Sequence, residues 1–184
     1  MKIFALSDIH VDYEPNAKWV SELSTFDYRD DVLILAGDVS DSLERLRWCP
    51  AAFARCFKRV AFVPGNHDLW VRRDACGNTS LQKLDEVRVV ADSLDVDMKP
   101  FHLGDVRIVP LLGWYDYSFG MPGDELKAIW MDYHACRWPS GLDVREICRH
   151  LCAQNRWPST GDGTYRCDAN LHTGIRETAL PRPW

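Results

Sequence analysis

At 184 residues, 46% hydrophobic and 27% charged, the chain has the composition of one soluble globular domain with room for a sizeable core. A net charge of -5 argues against a large basic surface for long nucleic acid, although bound cations can reverse the sign locally. Seven cysteines without a C-x-x-C pair or zinc-finger spacing, no signal-type leader and no run of membrane-spanning length predict a reduced, cytoplasmic protein with no membrane partner.

In chain order, Ile3-Phe4-Ala5-Leu6 is a short strand-type run that ends in Ser7-Asp8-Ile9-His10. Residues 16–23 place Trp19, Val20 and Leu23 at helical spacing. The run 32–36 is apolar throughout, as in a strand buried on both faces, and leads into Gly37-Asp38-Val39-Ser40-Asp41. Asp41 is expected to cap a helix running from Leu43 to about Phe57, which Pro50 should kink or divide. A third apolar run, 60–63, breaks at Pro64-Gly65 and is followed at once by Asn66-His67-Asp68.

Beyond His67 the pattern predicts a short helix over 80–84, a strand over 87–91 and a hairpin around Gly104-Asp105 pairing 101–103 with 106–112. An aromatic section from Trp114 to Trp138 follows, with a helix over 124–131, and then a helix over 143–154 carrying Val144, Ile147, Cys148 and Leu151 on one side. From residue 155 the sequence is turn-rich and without period. The expected layout is therefore a domain over 1–154 and an irregular tail over 155–184.

The β-α-β-α-β order implies parallel strands with right-handed crossovers, and sites in such sheets form beyond the carboxyl ends of the strands. Asp8, Asp38 and Asn66 all lie at those ends, 30 and then 28 positions apart, about one crossover unit each. Taken singly, each cluster has an ordinary explanation: Asp-x-His as a turn or cap, Gly-Asp as a strand-to-loop turn, Gly-Asn as a left-handed turn. Three of them closing three apolar strands at even spacing point instead to one shared site. Asp8 and His10 can converge on one cation, Asp38 can bridge two, and Asn66 can offer an amide oxygen to the second. Two divalent cations so held suit phosphoryl transfer, because they activate water and neutralise developing charge. His67 could protonate a leaving alkoxide or hold a phosphate oxygen, and Asp68 could orient its ring.

Ser7-Asp8-Ile9-His10, Gly37-Asp38-Val39-Ser40-Asp41 and Gly65-Asn66-His67-Asp68 resemble the first three signature blocks of the calcineurin-like metallophosphoesterases, over residues 1–112 and on to 154. The resemblance implies an α/β fold, a β-sandwich of two mixed sheets flanked by helices. It implies hydrolysis of phosphomonoesters or phosphodiesters with two metals, commonly manganese, iron or zinc. By motif, Asp8 and His10 would bind the first metal, Asp38 would bridge, Asn66 would bind the second, and His67 with Asp68 would assist catalysis. The family pattern also includes a later lone histidine and a Gly-His-x-His block, which this sequence lacks; of His102, His134, His150 and His172, the last is the nearest substitute. The second metal would then keep only Asp38 and Asn66 and bind weakly, and the sandwich would be incomplete at its C-terminal end. A truncated or frame-shifted family member with an unrelated tail is the expectation that follows. Two alternatives stand beside the enzyme: a non-catalytic scaffold of the same fold, binding a protein partner through the aromatic section 114–138, and a non-functional fragment.

Overall fold

The computed structural model describes residues 1–74 and 77–155. Three strands, β1 (Ile3–Leu6), β2 (Val32–Ala36) and β3 (Arg59–Val63), form a parallel sheet in sequence order, with β2 in the middle. Their register sets Leu6 against Leu35 and Ala36 against Val63, so the three strands end level with one another.

The central strand is apolar at every position because both its faces are covered. On one side Leu33, Leu35, Val60 and Phe62 pack against α1 (Glu14–Ser21), α2 (Leu43–Cys56) and α3 (Ser80–Ser93) through Val20, Leu46, Phe53, Val87 and Ala91. On the other side Val32, Ile34 and Ala61 meet Phe101, Leu103 and Ile108 of an antiparallel hairpin, β4 (Phe101–Leu103) and β5 (Val106–Ile108). Arg59 fastens that hairpin, bonding Asp97 at 2.5 and 3.0 Å while its guanidinium lies 3.7 Å over the Phe101 ring. Among the described residues the two sheets are thus one parallel and one antiparallel, and neither is mixed.

Three expectations change. The strand expected over 87–91 is the second half of one helix, α3, started by a capping box between Thr79 and Gln82. Leu84, Val87 and Ala91 face the core at helical spacing while Val89 is 67% exposed, and that packing outweighs the β-branched composition. Pro50 sits inside α2 without dividing it. The missing hydrogen bond costs about 3 kcal/mol, which burial of Leu46 and Phe53 offsets at about 2 kcal/mol each. Asp41 does not cap α2; Ser42 holds the N-cap position, and the Asp41 carboxylate turns instead toward two arginines.

A third cluster joins Leu69 and Leu84 to Ile147 and Leu151 of α6 (Val144–Ala153), and Trp114 and Trp138, edge to face with each other, pack against it. Between these two tryptophans lie two short helices, α4 (Asp124–Ile129) and α5 (Asp132–Ala135). Asn155 belongs to this body: its side chain accepts from the Leu112 amide at 2.8 Å and donates to the Leu112 carbonyl at 2.7 Å. The rest of the predicted tail, including His172, lies outside the described residues. No helix among the described residues is long and apolar enough to cross a membrane.

Candidate metal centre

The ends of β1 and β2 deliver three of the predicted ligands to one point. Asp8, His10 and Asp38 each offer a ligand atom, and these atoms all lie within 4.8 Å of one another. All three residues have positive φ, at 53°, 40° and 55°. Left-handed backbone at a non-glycine residue costs on the order of 1 kcal/mol or more, so three in one cluster mark a conformation imposed by the surroundings. Backbone bonds impose it: Asp8 and His10 donate to the carbonyls of Gly37 and Asp38, and Val11 to that of Val39. Asn16 of α1 straps the same loop, donating to the Ile9 carbonyl at 2.7 Å.

The loops after β2 and β3 touch backbone to backbone. A Cβ on Gly37, itself at φ +78°, would meet the Gly65 nitrogen at 2.5 Å, and a Cβ on Gly65 would collide with the Asp38 carboxylate. Glycine at both positions lets the loops close. The Asp38 carboxylate then accepts from the His67 amide at 3.0 Å, which aims it across the cluster.

Asp68 does something other than expected. It is fully buried, and its two oxygens accept from the amides of Asp38, Val39, Ser40 and Gly65 at 2.8 to 3.0 Å. With both oxygens committed to backbone, it does not orient the His67 ring; it ties the β2 loop to the β3 loop. Burial pushes its carboxyl up to about 7, with the amides of Ser40, Gly65 and Val39 pulling it back.

The His67 ring lies 4.7 Å from that of His10 and 3.5 Å from that of Trp70, centroid to centroid. Its Nδ1 is buried and has no partner, and so is Oδ1 of Asp41. Burial and then the His10 ring hold the His67 imidazole below its usual range, while Asp38, Asp41 and Asp12 pull it upward. Asp41 and Asp12 sit under three half-exposed arginines. Arg73 reaches Asp41 at 3.1 Å and Asp12 at 3.8 Å, Arg72 reaches Asp41 at 3.7 Å, and Arg45 reaches Asp12 at 3.9 Å. Each of these residues follows a metal-site residue by a few positions on the same loop or the next helix, so the arginines form a rim beside the cluster.

Asn66 stands at the head of the 3-10 turn His67–Leu69, and its amide nitrogen donates to Asp132 at 2.8 Å. Asp132 escaped the sequence reading altogether: it stands among aromatics with no strand or turn to flag it. It is buried and also accepts from Trp70 Nε1 at 2.7 Å, from the Tyr115 hydroxyl at 2.5 Å and from Trp130 Nε1 at 3.1 Å. Burial, reinforced by the bond to Asp132, pushes the Tyr115 hydroxyl well above its ordinary range and keeps it a donor.

The donor set fits a divalent cation. Two carboxylates and an imidazole converge on one point. Among the described residues no further histidine joins them: His102, His134 and His150 are exposed, and His134 bonds the Ala128 carbonyl.

Residues 1–140 match the family described as calcineurin-like phosphoesterase. The chain is 35% identical over 134 residues to acyl-carrier-protein phosphodiesterase PptH of Mycobacterium tuberculosis, a match covering 68% of this chain and 41% of that protein. It therefore spans less than half the length of the curated relative it matches. The crystal structure of phosphopantetheinyl hydrolase (PptH) from the same organism superposes with a TM-score of 0.69 at 27% identity, covering 83% of this chain and 61% of that one. With its three strand-end motifs in place and Asp8, His10 and Asp38 gathered at one candidate cation site, the chain belongs to the calcineurin-like phosphoesterase family.

Proposed function

We propose that this chain is a metal-dependent phosphodiesterase whose reaction takes place at the Asp8–His10–Asp38 cluster. The observation that carries the reading is the convergence of those three ligand atoms within 4.8 Å at the level ends of a parallel sheet. Asp8, His10 and Asp38 would hold the first cation, and Asp38 with Asn66 a second, weaker one. Divalent cations at such a site lower the pKa of water and neutralise charge on a phosphoryl group.

The chain's own residues do the rest. Asp38 is kept in place by the His67 amide. His67, half buried beside His10, is the group placed to give a proton to a leaving oxygen or to hold a phosphoryl oxygen. Asp68, with both oxygens bonded to backbone amides, is not the carboxylate that orients the His67 ring, whose Nδ1 has no hydrogen-bond partner.

The relative's name supplies the finer reading, a phosphodiester of an acyl carrier protein. Support comes from the rim of Arg45, Arg72 and Arg73, half exposed over carboxylates that fix their direction while leaving most of their N–H donors free. Turnover of bis(p-nitrophenyl) phosphate and p-nitrophenyl phosphate with added manganese tests the first part. The diester should be cleaved faster than the monoester, and Asp38→Asn should lower the rate at least about a hundredfold. A wild-type rate retained in Asp38→Asn would remove the assignment.

A further inference from the structure

Asn66 can serve a cation only through its carbonyl oxygen, because its amide nitrogen is a donor with no free lone pair. Which end of the amide faces the cluster depends on what the other end meets, and it meets Asp132. An ionised carboxylate accepts and never donates, so only the Nδ2 end can face it. The oxygen is thereby turned away from Asp132. The same carboxylate oxygen, Oδ1, also accepts from Trp70 Nε1 at 2.7 Å, and the Trp70 ring lies 3.5 Å from the His67 ring. One buried acceptor thus controls two residues of the site, Asn66 directly and His67 through the indole.

We infer that Asp132 is a positioning residue of the metal centre, which sets the Asn66 amide for cation binding and the Trp70 indole against His67. The proposal rests on the reading of Asn66 as a cation ligand. Asp132 lies 66 positions beyond Asn66, on the short helix α5, so the aromatic section is joined to the centre by more than apolar packing. Its other oxygen is held by Tyr115 and Trp130, which fixes the plane of the carboxylate without touching the centre.

The chemistry separates positioning from packing. Asp132→Leu keeps a similar volume and removes the acceptor, so Asn66 loses its bias and the Trp70 N–H its partner. Asp132→Asn keeps one carbonyl oxygen for Asn66 and Trp70, and its new amide can donate to the Tyr115 oxygen. Binding of Mn2+, followed by electron paramagnetic resonance, should show one of the two ions weakened about 10–100-fold in Asp132→Leu and restored to within about threefold in Asp132→Asn. Tyr115→Phe should bind as wild type. Equal binding by wild type and a folded Asp132→Leu overturns the proposal, and so does Asp132→Asn failing alongside Asp132→Leu. Asn66→Ala is the reference: if it too binds as wild type, the ligand reading of Asn66 falls and this proposal with it, whereas loss in Asn66→Ala alone removes only the role of Asp132. Should Asp132→Leu fail to fold, the wild-type chain carries its own test. The Asn66 side-chain amide protons should show nuclear Overhauser contacts to the Trp70 indole proton, and a diamagnetic divalent cation should shift the Asn66 carbonyl carbon. Absence of those contacts overturns the assignment.

Discussion

Asp68 shows what a single residue can hold together. Its carboxylate is enclosed and surrounded by four amide donors from two loops, and only the ionised form can accept all four. Asp68→Asn replaces one acceptor with a donor pointed at amide donors, leaving two of them unmatched. At 1–3 kcal/mol for an unsatisfied buried group, the loss should be about 3 kcal/mol in urea unfolding, with metal affinity falling as the Asp38 loop loosens. An unchanged midpoint would mean that the two loops are held by something else. The role of Asp68 could not be read from Gly65-Asn66-His67-Asp68 alone. Consecutive Asn, His and Asp suggest an imidazole oriented by its neighbour, but a 3-10 turn sends the carboxylate under the chain, toward residues some thirty positions earlier. Asp41 was visible as a residue and misread as a helix cap, because its arginine partners come from a loop the sequence does not place beside it.

Among elements, α3 gives the sharpest contrast between pattern and structure. Val87-Arg88-Val89-Val90-Ala91 has the composition of a strand, and the alternative periodicity of Leu84, Val87 and Ala91 was equally present in the sequence. The Thr79–Gln82 capping box favours the helix locally, and the apolar groove formed by α2 and the sheet decides it. In a strand, positions 87, 89 and 91 would share a face, whereas in the helix Val89 points away from the other two. Val89→Lys should therefore change stability by less than about 0.5 kcal/mol, while Val87→Ala should cost about 1.5–2 kcal/mol. Equal losses at the two positions would contradict the helix. The three parallel strands, by contrast, were legible from composition and spacing, since each is a short apolar run closed by polar residues, with glycine or proline after the second and third. Their order and the two-sided burial of β2 followed from the β-α-β-α-β succession.

For the whole molecule, the sheet and its two covers bring three loops to one end, and the aromatic section locks onto that end through Asp132 and through Asn155. The sequence texture changes at 155, yet Asn155 makes two buried bonds to Leu112. We therefore propose that the folded body includes Asn155, one residue beyond the sequence-based boundary. Asn155→Ala should cost about 1–2 kcal/mol, read as a lowered thermal midpoint, and an unchanged midpoint would restore the earlier boundary. The Asp8–His10–Asp38 cluster was legible, because its members lie within two short motifs. Its supports were not, since Asp68, Asp132 and the arginine rim depend on contacts between distant segments.

The central claim is that Asp8, His10 and Asp38 form a working cation site. Crystals grown with manganese and measured on both sides of the manganese absorption edge test it most directly. The account predicts an anomalous peak bounded by the carboxylates of Asp8 and Asp38 and the His10 ring, with a weaker peak beside Asn66. No peak at that cluster, or a single peak at Asp12 and Asp41 instead, would contradict it.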